Sequence, residues 1–244
     1  MIKLNQFAIV TPVPEIINTF VDNSILKKII ERKVIEIKTF NLRDYGIGSH
    51  KQIDDTPFGG GGGMILKPEP LFRAIDTAIN WIEIKENIKV ILPSPGMKKW
   101  DQKSAKKLSK VRNIILICGH YKGVDERVID EYITDQFSIG DFTLTCGEIP
   151  VIVIMESISR LIPGALNNQE SALRDTFPYN LIDHPHYTNP REYRGRSVPE
   201  VLLNGNHKKI DQWRLGYRKN RTINNRPDLW EKFIKIKESE IKNG

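Results

Sequence analysis

The chain has 244 residues, 39% hydrophobic and 27% charged, with two cysteines and a formal net charge of +7. That length accommodates one large domain, or a medium and a small one, each with its own buried core. No apolar run approaches the roughly 18 residues of a bilayer span, and no basic segment followed by an apolar stretch marks an N-terminal targeting signal. Cys118 and Cys146 are too few for a disulfide framework or a four-thiolate metal site, so a reducing compartment is expected.

Residues 1–165 alternate short apolar runs with helical stretches. FAIV (7–10), VIEIKTF (34–40), KVILPSP (89–95), IILICGH (114–120) and VIVIM (151–155) read as strands bounded by turn signals, with helices over 71–84 and 101–110 between them. This order predicts an α/β domain with a mainly parallel, buried sheet. Within it lies Pro57-Phe58 followed by five consecutive glycines, Gly59 to Gly63, and Met64. Glycines open backbone conformations closed to other residues and let a main chain approach a ligand, at an entropic cost. The run is not a Walker loop, because no Gly-Lys-Ser/Thr follows, and it lacks the strand and helix context of a dinucleotide fold. Read alone, it is a flexible surface loop.

Three segments fall at or after strand ends, where open α/β sheets bind ligands. They are Leu92-Pro93-Ser94-Pro95, the turn from Gly119 to Arg127, and Ser138-Ile139-Gly140-Asp141-Phe142-Thr143-Leu144. Small residues and turn formers there can present backbone N–H and C=O groups to a purine, although each segment alone reads as a tight turn. Residues 166–180 are polar and aperiodic and read as a linker. From 181 to 244 the chain reads as helical: Asn204-Gly205-Asn206 ends one helix and caps the next, and Ile210, Trp213 and Tyr217 follow at helical spacing as a buried stripe. Arg214, Arg218 and Arg221 fall on a neighbouring, outward face.

Charge is distributed unevenly. Residues 185–244 hold 14 Lys/Arg against 7 Asp/Glu, the whole of the net charge, while residues 1–184 hold 23 of each. Such a concentration is the footprint of a surface that meets phosphate backbones, and it is equally that of a solvated helical face.

Taken together, the blocks FAIVTPVPEII, RDY, DDTPFGGGGGM, CGHYKGVDERV, SIGDFTLTCGEIPV, SRLIPG, LIDHPHYTNP, VPEVLLNGNH and NRPDL resemble, in order and spacing over nearly the whole chain, the bacterial TrmD family of tRNA (guanine-N1)-methyltransferases in the SPOUT class. The resemblance implies a trefoil-knotted α/β domain with a small helical C-terminal domain. It implies a cytoplasmic enzyme, or a stromal one if plastid-encoded, that makes 1-methylguanosine at tRNA position 37. S-adenosyl-L-methionine would sit against Leu92, Pro93, Ser94, Pro95, Gly119, Tyr121, Ser138, Ile139, Gly140, Asp141, Phe142, Thr143, Leu144 and Gly147. Asp175 would take the proton from guanine N1, and Arg160 would stabilise the charge developing towards O6. The site would be shared across a homodimer, with Mg²⁺ as a further requirement, although no metal-ligand cluster is legible. His50, Asp54 and Gly59 would lie near the target guanine, and Arg214 and Arg218 would grip the anticodon stem-loop, the target base being unstacked to enter the pocket.

The chain departs from the family's GRYEG at His120 and Lys122, and from its paired glycines at Cys146. Lys122 puts a cation where the methionine end of the cofactor is expected. These departures support an alternative reading, a non-catalytic RNA-binding relative with an impaired cofactor site.

Overall fold

In the computed structural model, which describes residues 4–167, 177 and 180–242, the chain divides into two compact units, Met1–Gln169 and Glu170–Gly244. The first is an α/β unit. Its strands β1 (Asn5–Thr11), β2 (Ile35–Asn41), β5 (Lys89–Pro93), β6 (Asn113–Ile117) and β7 (Asp135–Phe137) form a five-stranded sheet in the order β2-β1-β6-β5-β7. Every pairing in it is parallel. A two-residue antiparallel pair, β3 (Asp54–Asp55) with β4 (Ile65–Leu66), brackets the glycine run.

The continuous apolar runs follow from burial on both faces. Phe7, Ile9, Ile91, Ile114 and Leu116 point into one core with α1 (Pro14–Asn23), α2 (Ile25–Glu31) and α6 (Glu148–Ser159). Ala8, Val10, Val90, Leu92, Ile115 and Ile117 point into the other, with α3 (Pro68–Trp81) and α5 (Glu126–Tyr132). Local signals set the ends of the helices. Pro68 and Pro70 start α3 three residues earlier than its apolar period suggests, and a proline near a helix start forfeits only an N–H that has no partner there. Asp101 caps α4 (Gln102–Leu108) by accepting from the Ser104 N–H at 2.7 Å.

One expected strand is absent and one strand went unread. VIVIM is not a strand; it is the middle of α6, whose start is marked by Gly147 and, in its first turn, Pro150. Apolar residues around most of its circumference erase the helical period, leaving Ile149 and Val153 exposed on one side and Val151, Ile154 and Met155 buried on the other. The remaining strand, β7, is three residues long, DQF, and carries no run to read.

The second unit contains a short hairpin, β8 (Glu192–Tyr193) with β9 (Arg196–Ser197), and the helices α7 (His207–Asn225) and α8 (Pro227–Lys242). Asn206 caps α7, accepting from the Lys209 N–H at 3.1 Å; a 3₁₀ turn, Glu200–Leu202, precedes it rather than a full helix. The buried positions on α7 are Ile210 and Thr222. Tyr217, expected to be buried, is 42% exposed and packs against Trp213, with ring centroids 4.4 Å apart and the ring planes tilted by 45°. The half-buried Arg218 turns inward, its Nε donating to the Ile182 carbonyl at 3.4 Å, and Thr222 donates to the Arg218 carbonyl. Among the described residues no helix is long and apolar enough to cross a membrane.

One close approach shapes the functional end of the sheet. A Cβ on Gly147 would strike the main chain of Cys118 and Gly119, 2.6 Å from the Gly119 carbonyl oxygen, so only glycine lets the chain entering α6 pass the end of β6. Gly147→Ala is expected to cost about 2 kcal/mol through overpacking against backbone that cannot swing aside. A lower midpoint in urea unfolding reads this directly, and an unchanged midpoint would mean that the two segments can part.

Candidate functional site

At the C-terminal ends of β5, β6 and β7 the chain makes three turns that enclose a cavity of about 580 Å³. Main-chain hydrogen bonds hold the turns together. Ser94 N–H donates to the Phe137 carbonyl at 2.9 Å, Ser138 N–H to the Lys98 carbonyl at 2.9 Å, and Trp100 N–H to the Ser138 carbonyl at 2.8 Å. Within the third turn the Ser138 hydroxyl donates to the Gly140 carbonyl at 2.8 Å and accepts from the Gly140 N–H at 3.2 Å. An antiparallel bridge between His120 and Cys146 closes the second turn against the third.

Of the residues expected around the cofactor, Leu92, Pro93, Ser94, Pro95, Gly119, Tyr121, Ser138, Ile139, Gly140, Phe142, Thr143, Leu144 and Gly147 all line this cavity. Asp141 does not; it is exposed and pairs with Lys99 at 2.7 Å. The lining also takes in Met97, Gln136, Glu126 and the departing residues His120, Lys122 and Cys146. Met97 and Gln136 carried no motif in the sequence, and only their places beside strand ends could have pointed to them.

Beneath the bridge lies a polar cluster that sequence reading missed. Glu148, the first residue of α6, has 0% exposure. Its carboxylate meets His120 Nε2 at 2.8 and 2.9 Å and accepts from the Thr11 hydroxyl. Burial pushes the Glu148 carboxyl up, but donation from His120 and Thr11 outweighs it, and the net shift is downward. The adjacent Cys118 thiol is pushed well up, by burial first and then by the Glu148 charge, so it stays protonated and unreactive. Position 120 is thus a partner to a buried carboxylate as well as part of the cavity wall.

Of the residues expected near the target base, Asp54 lies in β3, and none of His50, Asp54 and Gly59 lines the cavity. Tyr121, in the left-handed region at φ 58°, is held by Gly123 N–H donating to the His120 carbonyl at 3.0 Å. Burial, then the Asp54 charge and a hydrogen bond to Asp54, raise its phenol above the usual range, with Arg43 opposing. His50 is exposed, and Gly59, at φ 84°, is open to solvent.

Arg160 caps the C-terminus of α6, its N–H donating to the Glu156 carbonyl at 3.1 Å. Asp175 lies outside the described residues. In the second unit Arg214 stands 3.6 Å from Asp211, and Arg221 donates to the Asp183 carbonyl at 3.1 Å. The structure also gathers Asp183, His184 and His186, with their candidate ligand atoms within 4.8 Å of one another. Asp183 already meets His186 Nε2 at 2.9 Å, and His184 Nδ1 meets the Pro185 carbonyl at 3.1 Å.

The comparisons with known proteins agree with one another. The family described as tRNA (Guanine-1)-methyltransferase TrmD matches residues 5–232. A protein of Clostridioides difficile (strain 630) named tRNA (guanine-N(1)-)-methyltransferase is 47% identical over 227 residues, 93% of this chain and 98% of that one. Proteins of the same name from Alkaliphilus oremlandii (43% identical, covering 96% of this chain and 95% of that one) and Staphylococcus epidermidis (46%, covering 93% and 92%) are similar along the same length. With a match that runs through both units, the chain belongs to the TrmD family of tRNA (guanine-N1)-methyltransferases.

Proposed function

We propose that the protein transfers a methyl group from S-adenosylmethionine to N1 of guanosine 37 in tRNA. The observation that carries this reading is the cavity at the ends of β5, β6 and β7 in a chain whose family match is continuous. The cavity suits an adenosine: its volume falls within the range of small-molecule sites, and its walls combine glycines and other small residues with apolar side chains such as Leu92, Ile139 and Leu144 and a few polar ones. When bound there, the cofactor supplies an electrophilic methyl group on a sulfonium. The approach of Gly147 to Cys118 and Gly119 is the kind of crossing a trefoil knot requires, and a knotted chain is part of this reading.

The chain's own residues divide the work. Guanine N1 is protonated at neutral pH and nucleophilic only as that proton leaves, so Asp175 accepts it while Arg160 offsets charge developing at O6. Arg160 supports a site shared between two subunits. It stands at the far end of the 12-residue helix α6, about 18 Å from the cavity end by helical rise, so a second copy is needed to bring it to the cofactor. The exposed apolar side of α6, Ile149 and Val153, and the exposed Phe142 and Leu144 suit such a homodimer.

The basic second unit would hold the anticodon stem-loop by Arg214 and Arg218 and stack bases on Tyr187, Trp213 and Tyr217. A bacterial cytoplasm, or a plastid stroma, supplies that tRNA. Mg²⁺ has no evident cage among the described cavity residues: Glu126 is the one acidic residue in a lining that also holds Lys122. Methyl transfer to transcripts with guanine or adenine at position 37 tests the reading. The expected product is 1-methylguanosine in the guanine transcript alone, and equal labelling of both, or of neither, would sink it.

A further inference from the structure

Three side chains of charged type enter the cavity lining: His120, Lys122 and Glu126. His120 is committed to the buried Glu148. Lys122 has no ion pair among the described residues, and its place is fixed from two sides. Its N–H donates to the Met64 carbonyl at 3.0 Å, and the next residues continue the contact, with Leu66 N–H donating to the Gly123 carbonyl at 3.0 Å and Asp125 N–H to the Leu66 carbonyl at 3.1 Å. The glycine run is thereby sewn to the cavity rim. The stem of Lys122 then runs along that loop. A Cβ on Gly63 would lie 3.2–3.3 Å from its Cγ, Cδ and Cε, and one on Gly61 would lie 3.6 Å from its Nζ. Gly63, at φ +96°, leaves room for a lysine stem that a side chain there would crowd.

A glycine channel holding a lysine with no anion is a place for a ligand anion. Resting on the cofactor reading above, we infer that Lys122 is a binding residue for the α-carboxylate of the cofactor's amino-acid tail, the single anionic group of that molecule, and so sets a preference for ligands that carry the tail. Lys122 reaches the same cavity as residues 92–95 and 138–144, so a ligand with its adenosine against those turns brings its tail within the lysine's compass. A charge-assisted hydrogen bond from an ammonium to a carboxylate is among the stronger polar contacts available.

Two ligands separate the tail from the rest. S-adenosylhomocysteine carries the carboxylate, and 5′-methylthioadenosine has the adenosine and sulfur without it. In calorimetry on the full-length protein, Lys122→Gln is expected to weaken S-adenosylhomocysteine binding about tenfold, or about 1.4 kcal/mol, and to leave 5′-methylthioadenosine binding unchanged. Lys122→Glu should weaken the first further and again spare the second. Equal losses for both ligands, or none for either, overturn the assignment to the carboxylate. Weaker tRNA binding with unchanged S-adenosylhomocysteine binding also overturns it, placing the ammonium on an RNA phosphate. Failure of the wild-type protein to bind either ligand is a separate result, which overturns the cofactor reading and this inference with it.

Discussion

Replacing Asp175 with alanine is expected to slow methyl transfer to a guanine-37 transcript about 10³-fold, within the range that a positioned general base contributes, while S-adenosylhomocysteine and tRNA still bind. The chemistry requires a base because the N1 lone pair is tied up in the N–H bond, and attack on the methyl carbon leaves that proton needing an acceptor. A carboxylate is suited to the task when it is held dry against the base, since desolvation raises its basicity. Arg160→Ala acts on the other end of the same charge shift. Its loss should fall near 10², the size of removing one fixed donor from a developing oxyanion. Single-turnover rates at saturating tRNA separate these losses from binding. A full wild-type rate in Asp175→Ala would move the base elsewhere, and a loss confined to tRNA affinity would make Asp175 a contact to RNA.

What could be read in the sequence depended on how many neighbours a residue needs in order to make sense. The runs around Ile9, Ile91 and Ile115 were legible as strands because a parallel sheet covered on both faces is apolar at every position. The same property misled at 151–155, where α6 is apolar on its exposed side as well and its length, not its period, was the signal. The strand-end turns were legible as ligand-binding ground from their position alone. The unit beneath them was not: Thr11 and Glu148 are 137 residues apart, and nothing in FAIVT or CGEIP says that a hydroxyl in one and a carboxylate in the other meet. The glycine run illustrates a third limit. Read alone it was a flexible loop, yet its far end is pinned at Met64 and Leu66 to the Lys122 turn, a pairing visible only in three dimensions.

The basic C-terminal unit shows how composition and geometry answer different questions. Its excess charge was countable, but the direction of each arginine was not. Arg218 and Arg221 spend hydrogen bonds on the carbonyls of Ile182 and Asp183 and so fix the segment carrying His184 and Tyr187 against α7. They therefore have an intramolecular duty besides any phosphate they meet.

Glu148→Ala is expected to destabilise the first unit by about 3–5 kcal/mol, the scale of leaving two buried polar partners without their acceptor at about 1–3 kcal/mol each. The carboxylate is fully buried, and its loss strands the Thr11 hydroxyl and the His120 ring where β1, β6 and the start of α6 converge. Glu148→Gln keeps the volume and an acceptor for Thr11 and gives up the charge, so about 1–3 kcal/mol is expected. The pH dependence distinguishes charge from packing. Because the folded carboxyl lies below its ordinary value, the charged form's contribution is complete above the ordinary carboxylate range and is lost as pH falls through the depressed folded value. Urea midpoints of the wild-type and Glu148→Gln proteins should thus differ at neutral pH and converge in acid. Curves that stay parallel would mean that shape alone is at stake. The same cluster closes the bridge between His120 and Cys146 over the cavity, so Glu148→Ala protein that still folds should also bind S-adenosylhomocysteine more weakly. The buried acid and the ligand cavity are then two faces of one crossing, the first holding the chain segments together and the second using the surface they make.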